Sequence, residues 1–538
     1  MRALLLGLLA GFLSWGCHSP ASQPKGNLQH ISLNLVSEPQ TLDPRQVRDT
    51  NGQAVVRLLF EGLTRVNPNE KAELALADSL EISPDLKTYV FSLRKSLWSN
   101  GDPVTAEDFV HAWKCVLDPA FPSDTAFQLY GIRNAKAIKE GTLDRDALGV
   151  HALGEHTLLV ELEYPIPYFL ELVALPCFFP VHAGLDQSNP KWASQPATFV
   201  GNGPFCMSAW KHQDQLELQK NSYYWDAGSV ALGQVTFVMV PEVTELKMFE
   251  AGELAMAGSP LSALPVDALQ TLKSSHALKT KELLGTYFIR VNVAAAPFNH
   301  PEMRRAFAYA IHRKQIVEHV TQGNQFPATG LVPLSLGLQT QPYFLDGDVD
   351  AAQARFAQAL SELHLQVAEL PVVKLLYNAT ERNHLIAQAI QQQWYETLGV
   401  RVELEAVESK IYFDRLAKQD YQLASGNWIA DFGDAINFLE VFKHKTASSN
   451  NTRWENSRFR ELLELSFVTS DCQKRQNLLK ESEAILMQEM PVIPIFYYTM
   501  LYMQQPELQG VLVTPMGQLD LKWAHLLQER NLIAEGKL

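Results

Sequence analysis

The chain is long, acidic and ordinary in its hydrophobic content. It has 538 residues, of which 46% are hydrophobic, and a formal net charge of −14 at pH 7. Its length predicts roughly three domains, and its composition is typical of a globular protein. The negative charge argues against nucleic acid as a partner, because nucleic-acid-binding proteins present basic surface.

The N-terminal segment predicts export. Arg2 precedes an apolar run over residues 3–13, which is too short to span a bilayer but has the layout of a secretory signal. With the small residues before Cys17, the segment is similar to a lipoprotein signal, in which residues 1–16 are removed and Cys17 is lipidated. An ordinary cleaved signal with an incidental cysteine is the alternative.

Polar residues follow the signal. They predict that residues 17–29 form a lipid-anchored tether, and no later apolar run approaches membrane-spanning length. We therefore expect an extracytoplasmic protein, in the periplasm or on the outer face of the cell membrane.

The four later cysteines do not predict a metal site. Cys115, Cys177, Cys206 and Cys472 lack the close pairing of metal ligands. A disulfide among them is compatible with an oxidising compartment, but the sequence assigns none.

Helices and strands alternate in the second half of the chain. Pro301 opens a predicted helix over residues 301–320. A further helix is expected near residues 473–488. The segment "MPVIPIFYYTMLYM", residues 490–503, predicts strands broken by Pro491 and Pro494.

The clearest local unit lies between these elements. Residues 372–377 predict a strand, Thr380 an N-cap and Gly399 the end of a helix. One face of that helix is apolar, at Ile386, Ile390 and Trp394. Residues 400–404 alternate as a second strand, so we expect a βαβ unit with parallel strands. The chain as a whole predicts an α/β fold with mixed sheets in more than one lobe.

Motifs of catalysis are missing. The sequence has no G-x-S-x-G elbow, no P-loop and no H-E-x-x-H. "GNGPF", at residues 201–205, lacks the spacing of a phosphate-binding loop. We expect no enzymatic activity, no cofactor and no metal.

Several segments in order resemble one family, the peptide-binding proteins that feed ABC importers. They include "WSNGDPVTAEDFVHAWKCVLDP" from Trp98, "GNGPFCMSAWKHQDQLELQKNSYYWDA" from Gly201 and "NWIADFGDAINFL" from Asn427. The family takes dipeptides, oligopeptides or nickel, and its oligopeptide binders are the most similar. The resemblance covers residues 31 to the C-terminus.

The resemblance implies a bilobal periplasmic-binding-protein fold with a third subdomain. Lobe I would comprise residues 30–63, 198–283 and 496–538, the extra subdomain residues 64–197, and lobe II residues 284–495. Ligand would be buried in the hinge cleft as the lobes close.

The implied function is transport without chemistry. Such a protein captures short peptides non-covalently and delivers them to an ABC permease, as a monomer tethered to the membrane by lipid. The alternatives keep the fold and bind dipeptides, murein-derived peptides or a nickel complex, or reuse it as a surface adhesin or chaperone-like module.

A peptide binder of this kind fixes the constant parts of its ligand. The ligand's α-ammonium needs a buried carboxylate, which in the family is the Asp of a W-x-A-D segment. Trp428, Ala430 and Asp431 match that segment. We expect Asp431 to have no protein cation of its own; the alternative is a turn carboxylate satisfied by local N–H groups. Asp434, by contrast, fits the N-cap of a following helix.

The resemblance also implies the remaining ligand contacts. Backbone hydrogen bonds would come from residues 427–429, the opposing lobe would contribute residues 48–51, and aromatic rings would form pocket walls. Of Tyr497 and Tyr498, at most one faces the ligand, since neighbours in a strand point to opposite sides. The implied ligand-binding residues are Arg48, Asp49, Thr50, Asn51, Tyr287, Asn427, Trp428, Ile429, Ala430, Asp431 and Tyr498.

One departure from the family concerns the far end of the ligand. Well-known oligopeptide binders carry an Arg just before W-x-A-D, whereas residues 423–426, "LASG", have no positive charge. The nearest upstream cations are Lys418 and Arg415. Preferred length or end-group recognition is therefore expected to differ, and a ligand without a free terminal carboxylate stays open.

Overall fold

The computed structural model describes residues 29–274, 278–339, 341–447 and 449–527. The predicted signal peptide 1–16, Cys17 and the tether up to residue 28 lie outside the described residues.

The strands, in chain order, are β1 (Gln29–Asn34), β2 (Thr64–Val66), β3 (Ala72–Leu74), β4 (Ala77–Ile82), β5 (Thr88–Leu93), β6 (Val150–Gly154), β7 (Thr157–Glu161), β8 (Phe205–Lys211), β9 (Gln215–Lys220), β10 (Leu232–Val238), β11 (Met256–Gly258), β12 (Lys279–Val291), β13 (Phe326–Pro327), β14 (Val373–Asn378), β15 (Val402–Val407), β16 (Leu423–Ile429), β17 (Val492–Gln504), β18 (Leu508–Gln509), β19 (Leu512–Val513), β20 (Leu519–Asp520) and β21 (His525–Leu526).

The α-helices are α1 (Thr50–Leu59), α2 (Ala106–Val116), α3 (Ala135–Lys139), α4 (Phe169–Leu172), α5 (Ala183–Ser188), α6 (Glu242–Glu250), α7 (Leu269–Ser274), α8 (Pro301–Tyr309), α9 (Arg313–Gln315), α10 (Val349–Leu363), α11 (Glu381–Leu398), α12 (Ser409–Lys418), α13 (Ile436–Leu439), α14 (Ser457–Val468) and α15 (Cys472–Glu489).

Three larger sheets organise these elements. Sheet A has the order β1-β10-β9-β8, with β1 parallel to β10 and the other pairs antiparallel. Sheet B, β4-β5-β7-β6, is antiparallel. Sheet C has the order β11-β17-β12-β16-β14-β15 and is mixed, with β13 added beside β17. Helices pack on these sheets, so the α/β prediction with mixed sheets is confirmed.

The predicted βαβ unit is present in sheet C. β14 and β15 are parallel, and α11 connects them. The Thr380 hydroxyl accepts a hydrogen bond from the Asn383 N–H at 3.3 Å, and Gly399 ends the helix with φ of 69°. Ile386, Ile390 and Trp394 are fully buried.

The helix predicted from Pro301 is shorter than expected. α8 ends at Tyr309, and the chain continues as α9 and a π-helical turn at Ile316–Thr321. The backbone N–H groups of Arg313 and Lys314 donate to the Asp346 carboxylate, at 2.9 and 3.0 Å. These two N–H groups donate to Asp346 and not to a carbonyl of a preceding helical turn. The helix is therefore interrupted here.

The prediction that Pro494 breaks the C-terminal strand is wrong, whereas Pro491 does lie outside it. β17 begins at Val492 and runs for 13 residues through Pro494. Its register with β12 shifts between Tyr287 and Phe288, next to Pro494, and such a bulge tolerates a residue that has no N–H to donate.

Two strands cross the boundaries predicted between lobe I and lobe II, and these boundaries stay a prediction. β12 runs through 283/284 and β17 through 495/496, and they pair antiparallel over most of their length. β11, within predicted lobe I, extends the same sheet by pairing with β17. The two connections between the predicted lobes are therefore adjacent strands.

A buried ionic network joins predicted lobe I to the start of the predicted extra subdomain. The Arg65 guanidinium donates to the Asp520 carboxylate at 2.7 Å and to Glu61 at 2.8 Å, and the Tyr224 hydroxyl donates to Glu61 at 2.8 Å. The side chains of Glu61, Arg65 and Asp520 are at most 8% exposed. The network thus fixes the C-terminal segment, at Asp520, to Glu61 and Arg65 near the start of the described chain.

We expect Arg65→Ala to destabilise the protein, because it leaves two buried carboxylates without a cation. The free energy of unfolding, measured by urea denaturation, should fall by about 3 to 5 kcal/mol. Arg48→Ala is the matched control: Arg48 pairs with Asp124 at the surface, with both side chains more than 60% exposed, and should change stability little. Similar losses for both variants would contradict this prediction.

Candidate functional site

The site is built at an open edge of sheet C. On one side β16 pairs with β12 from Leu423 to Ile429, but on the other side β14 pairs with only Leu423 and Ala424. Within the described ranges, residues 425–429 have no strand on that side. Asn427 and Ile429 are exposed there, so this edge has unpaired backbone groups that an extended ligand can use.

Asp431 lies directly after this edge. Its backbone N–H donates to the Asn437 side-chain oxygen at 3.3 Å. No ion pair joins its half-buried carboxylate to any Lys, Arg or His in the part of the chain that the structure describes. Burial raises the pKa of Asp431, and a hydrogen bond from Asn437 opposes that rise. The carboxylate is therefore poorly compensated.

Two cavities meet at Asp431. The larger, of about 130 Å³ and here called the α1 cavity, is lined by Thr50, Gln53, Arg57, Gln128, Cys177 and Gln518, among others. The smaller, of about 50 Å³, is lined by Glu171 and Gly433. Leu175, Met516 and Gln518 contact both. Asp431 thus faces space between all three predicted subdomains.

Arg57 in the α1 cavity was not predicted. It is 7% exposed, its Nη1 donates to the Ala174 carbonyl at 2.9 Å, and its Nε and Nη2 are buried without partners. Burial lowers the pKa of Arg57 to about 10. A basic residue within the apolar run "AVVRLL" was the available signal.

Residues 48–51 have different surroundings. Arg48 pairs with Asp124 at 2.5 Å, Asp49 caps α1 by accepting from the Gly52 N–H at 2.7 Å, and Asn51 donates to the Leu35 carbonyl. Thr50 is the member of this segment that lines the α1 cavity with Asp431.

The aromatic residues divide between interior and cleft. Tyr287 is 6% exposed and stacks on Phe496 with ring centroids 5.0 Å apart. Tyr497 is buried, and its hydroxyl donates to the Gly330 carbonyl at 3.1 Å. Tyr498 is half-buried. Of this pair, Tyr498 is the one available to a ligand.

Asn437 orders the W-x-A-D segment and was also missed. Its side-chain oxygen accepts from Trp428 Nε1 at 2.8 Å as well as from the Asp431 N–H. Asn437 is 2% exposed. An amide inside the apolar run of residues 435–442 was the only signal in the sequence.

Asp434 is compensated, unlike Asp431. Its Oδ1 accepts from the Ile436 N–H at 2.9 Å, and its carboxylate forms two hydrogen bonds to Arg475, at 2.6 and 2.9 Å. The helix cap is Ala435, one residue later than predicted, but Asp434 still satisfies the first helical N–H.

The turn after Asp431 contacts residues of the predicted extra subdomain. Tyr168 stacks on Phe432, with ring centroids 4.2 Å apart and planes 8° from parallel. Glu171 accepts a hydrogen bond from the Gly433 N–H at 2.9 Å. Burial and the nearby Asp434 raise the pKa of Glu171, and burial raises that of Glu440 to about 7. Negative charge is therefore disfavoured throughout this region.

One group of side chains has the composition of a metal site: His111, Cys115 and Asp186. Asp186 already accepts hydrogen bonds from Arg45 at 2.7 Å, from Trp192 at 2.9 Å and from His111 at 2.8 Å. The Arg45 guanidinium supplies the positive charge that a metal ion would bring, so these residues do not fit a metal.

Cys115, Cys177, Cys206 and Cys472 are free thiols. Among the described residues, the helices are all too short or too polar to cross a membrane.

The chain matches known proteins over most of its length. A family model for bacterial extracellular solute-binding proteins, family 5 Middle, matches residues 71–450. The chain is 41% identical over 522 residues to "Oligopeptide-binding protein OppA" of Bacillus subtilis (strain 168), covering 96% of each protein.

Solved structures are similar over nearly the whole chain. The unliganded open form of the periplasmic murein tripeptide binding protein MppA has a TM-score of 0.83 and 28% identity, covering 94% of this chain and 99% of that one. Haemophilus influenzae OppA in complex with the peptide RPPGFSPFR has a TM-score of 0.75 and 27% identity, covering 94% and 100%. The predicted fold class is confirmed.

We expect Asp431→Asn to stabilise the ligand-free protein at pH 7.5, because it removes a half-buried charge that has no cation. Asp434→Asn should lower the free energy of unfolding by about 2 kcal/mol, because it leaves Arg475 without its partner. Urea denaturation of both variants measures this.

The gain from Asp431→Asn should shrink as pH falls through the raised pKa of Asp431, because the wild-type carboxyl then becomes neutral. Loss of stability in both variants at pH 7.5 would contradict the difference between the two aspartates.

Proposed function

The chain belongs to the bacterial extracellular solute-binding proteins of family 5, and from this membership we propose that it captures short peptides and delivers them to an ABC permease. The observation that carries the proposal is Asp431, a half-buried carboxylate without a cation at the end of an open strand edge. An α-ammonium supplies the missing charge, and an extended peptide backbone supplies the missing strand.

The ligand's place follows from these two features. Its ammonium lies on Asp431, and its backbone pairs with residues 427–429 of β16. Thr50 contacts the ammonium end from the opposite lobe, while Trp428 and Tyr498 contribute aromatic walls. Arg48, Asp49 and Asn51 contribute indirectly, by holding the loop and the start of α1 that carry Thr50. Tyr287 and Ala430 contribute by supporting β16.

No chemistry is proposed for this site. A carboxylate whose partner is the ligand's own ammonium is occupied when the peptide is bound, and is not available as a base. Incubation with peptide should therefore return the peptide intact.

The cellular setting is part of the proposal. The signal at residues 1–16 exports the chain, lipidated Cys17 and residues 17–29 tether it as a monomer, and permease subunits accept the peptide. β12 and β17 connect the two lobes at the domain boundaries given above. The cleft closes as the lobes move about these two connections.

Calorimetry with tetraalanine tests the ammonium site. We expect wild-type protein to bind the free-amine peptide at least tenfold more tightly than N-acetyl-tetraalanine, because only the free amine compensates Asp431. Asp431→Asn should lose affinity for the free amine and change little for the acetylated peptide. Equal losses for the two peptides would remove Asp431 from the proposed role.

The same titration has an expected pH dependence. An ammonium binds the ionised carboxylate, so affinity for tetraalanine should fall as pH drops through the raised pKa of Asp431. Asp431→Asn should flatten this dependence on the acid side. An acid-side profile unchanged by the substitution would assign the titration to another group.

A further inference from the structure

A ligand with a free C-terminus carries a carboxylate, and residues 423–426 offer no cation for it. We propose that Arg290, on the neighbouring strand β12, binds the terminal carboxylate of the peptide. This inference rests on the proposed function and adds a residue and a ligand length to it.

The Arg290 side chain extends from β12 over the neighbouring strand β16. Its Cα lies opposite Ala424, and strands are about 4.8 Å apart. A Cβ added to Gly426 would lie 1.7 Å from Arg290 Nη1 and 2.8 Å from its Cζ. The guanidinium thus lies outside its own strand, β12, in the space that a side chain at residue 426 of β16 would fill.

Arg290 has no protein acceptor. In the described ranges its half-buried guanidinium forms neither a hydrogen bond nor an ion pair, and Phe288 lies beneath it with the ring centroid 4.9 Å from Cζ. Arg45 and Arg65, by contrast, are each paired with two carboxylates. Stacking orients Arg290, and its donors stay available to a carboxylate.

Arg57, an arginine that lines the α1 cavity, is less suited to this role. It lines the α1 cavity together with Asp431, which is the ammonium end of the peptide. Its Nε and Nη2 are sealed from solvent. A terminal carboxylate has to be bound farther along the strand, where Arg290 lies.

The spacing predicts ligand length. Asp431 follows β16 and Gly426 lies five residues earlier, about 16 Å along an extended strand. The peptide therefore runs antiparallel to β16, and one of about four or five residues places its two termini on Asp431 and Arg290.

Calorimetry with tetraalanine and pentaalanine, each as free acid and C-terminal amide, tests this inference. Wild type should bind the acids at least tenfold more tightly than the amides. Arg290→Gln should abolish that difference while keeping the preference for a free amine over an N-acetylated peptide, and Arg290→Lys should keep part of it.

Two further variants sharpen the test. Gly426→Ala displaces the Arg290 guanidinium, with the added Cβ also 3.2 Å from Phe288 Cε2, and should behave like Arg290→Gln. Arg401→Gln is the matched control: Arg401 is an exposed arginine of the same predicted lobe, with its Cζ 5.7 Å from the Tyr395 ring centroid, and the variant should retain the wild-type difference. Thermal melts establish that each variant folds.

An acid-over-amide preference that persists in Arg290→Gln, or that Arg401→Gln removes, overturns the inference. Wild-type protein that binds peptides without such a preference also overturns the inference, but it leaves the proposed function standing. Wild-type protein that binds no peptide at all contradicts both the proposed function and the inference.

Discussion

A half-buried carboxylate without a cation is the constraint on which the site depends. The backbone of Asp431 is held by Asn437, in a turn that contacts Tyr168 and Glu171 of the predicted extra subdomain. Among the described residues its carboxylate has no cation, although Arg475 pairs with Asp434 three residues later. The cavities beside the carboxylate give it room for water or for the charge of a ligand.

The neighbouring interactions divide recognition between two kinds of contact. In the proposed complex, backbone pairing along β16 is indifferent to ligand side chains, whereas charges at the ends of the edge bind the termini. The pairing edge and Asp431 belong to β16 and the turn after it, and Arg290 belongs to the adjacent strand β12, which runs between the predicted lobes. Movement of the predicted lobes and positioning of the ligand would therefore be coupled through one sheet.

Local signals were sufficient for part of this structure. The βαβ unit was predicted from a cap at Thr380, a stop at Gly399 and an apolar face, all of which act within a few residues. The family resemblance, with its W-x-A-D segment, singled out Asp431. Asn437, Arg57 and Arg290 were missed because their roles arise from contacts with residues distant in sequence or on another strand. The continuous β17 was missed for a related reason: the bulge that accommodates Pro494 depends on its partner strand.

The open edge of β16 has a consequence for the ligand-free protein in solution. Unpaired strand edges invite a second copy of the chain to add a strand, which leads to aggregation. Here the edge is only five residues long, lies beside a cleft and ends at an acidic residue. An edge this short offers little pairing to a second copy, so the shape of the proposed binding site should also limit self-association.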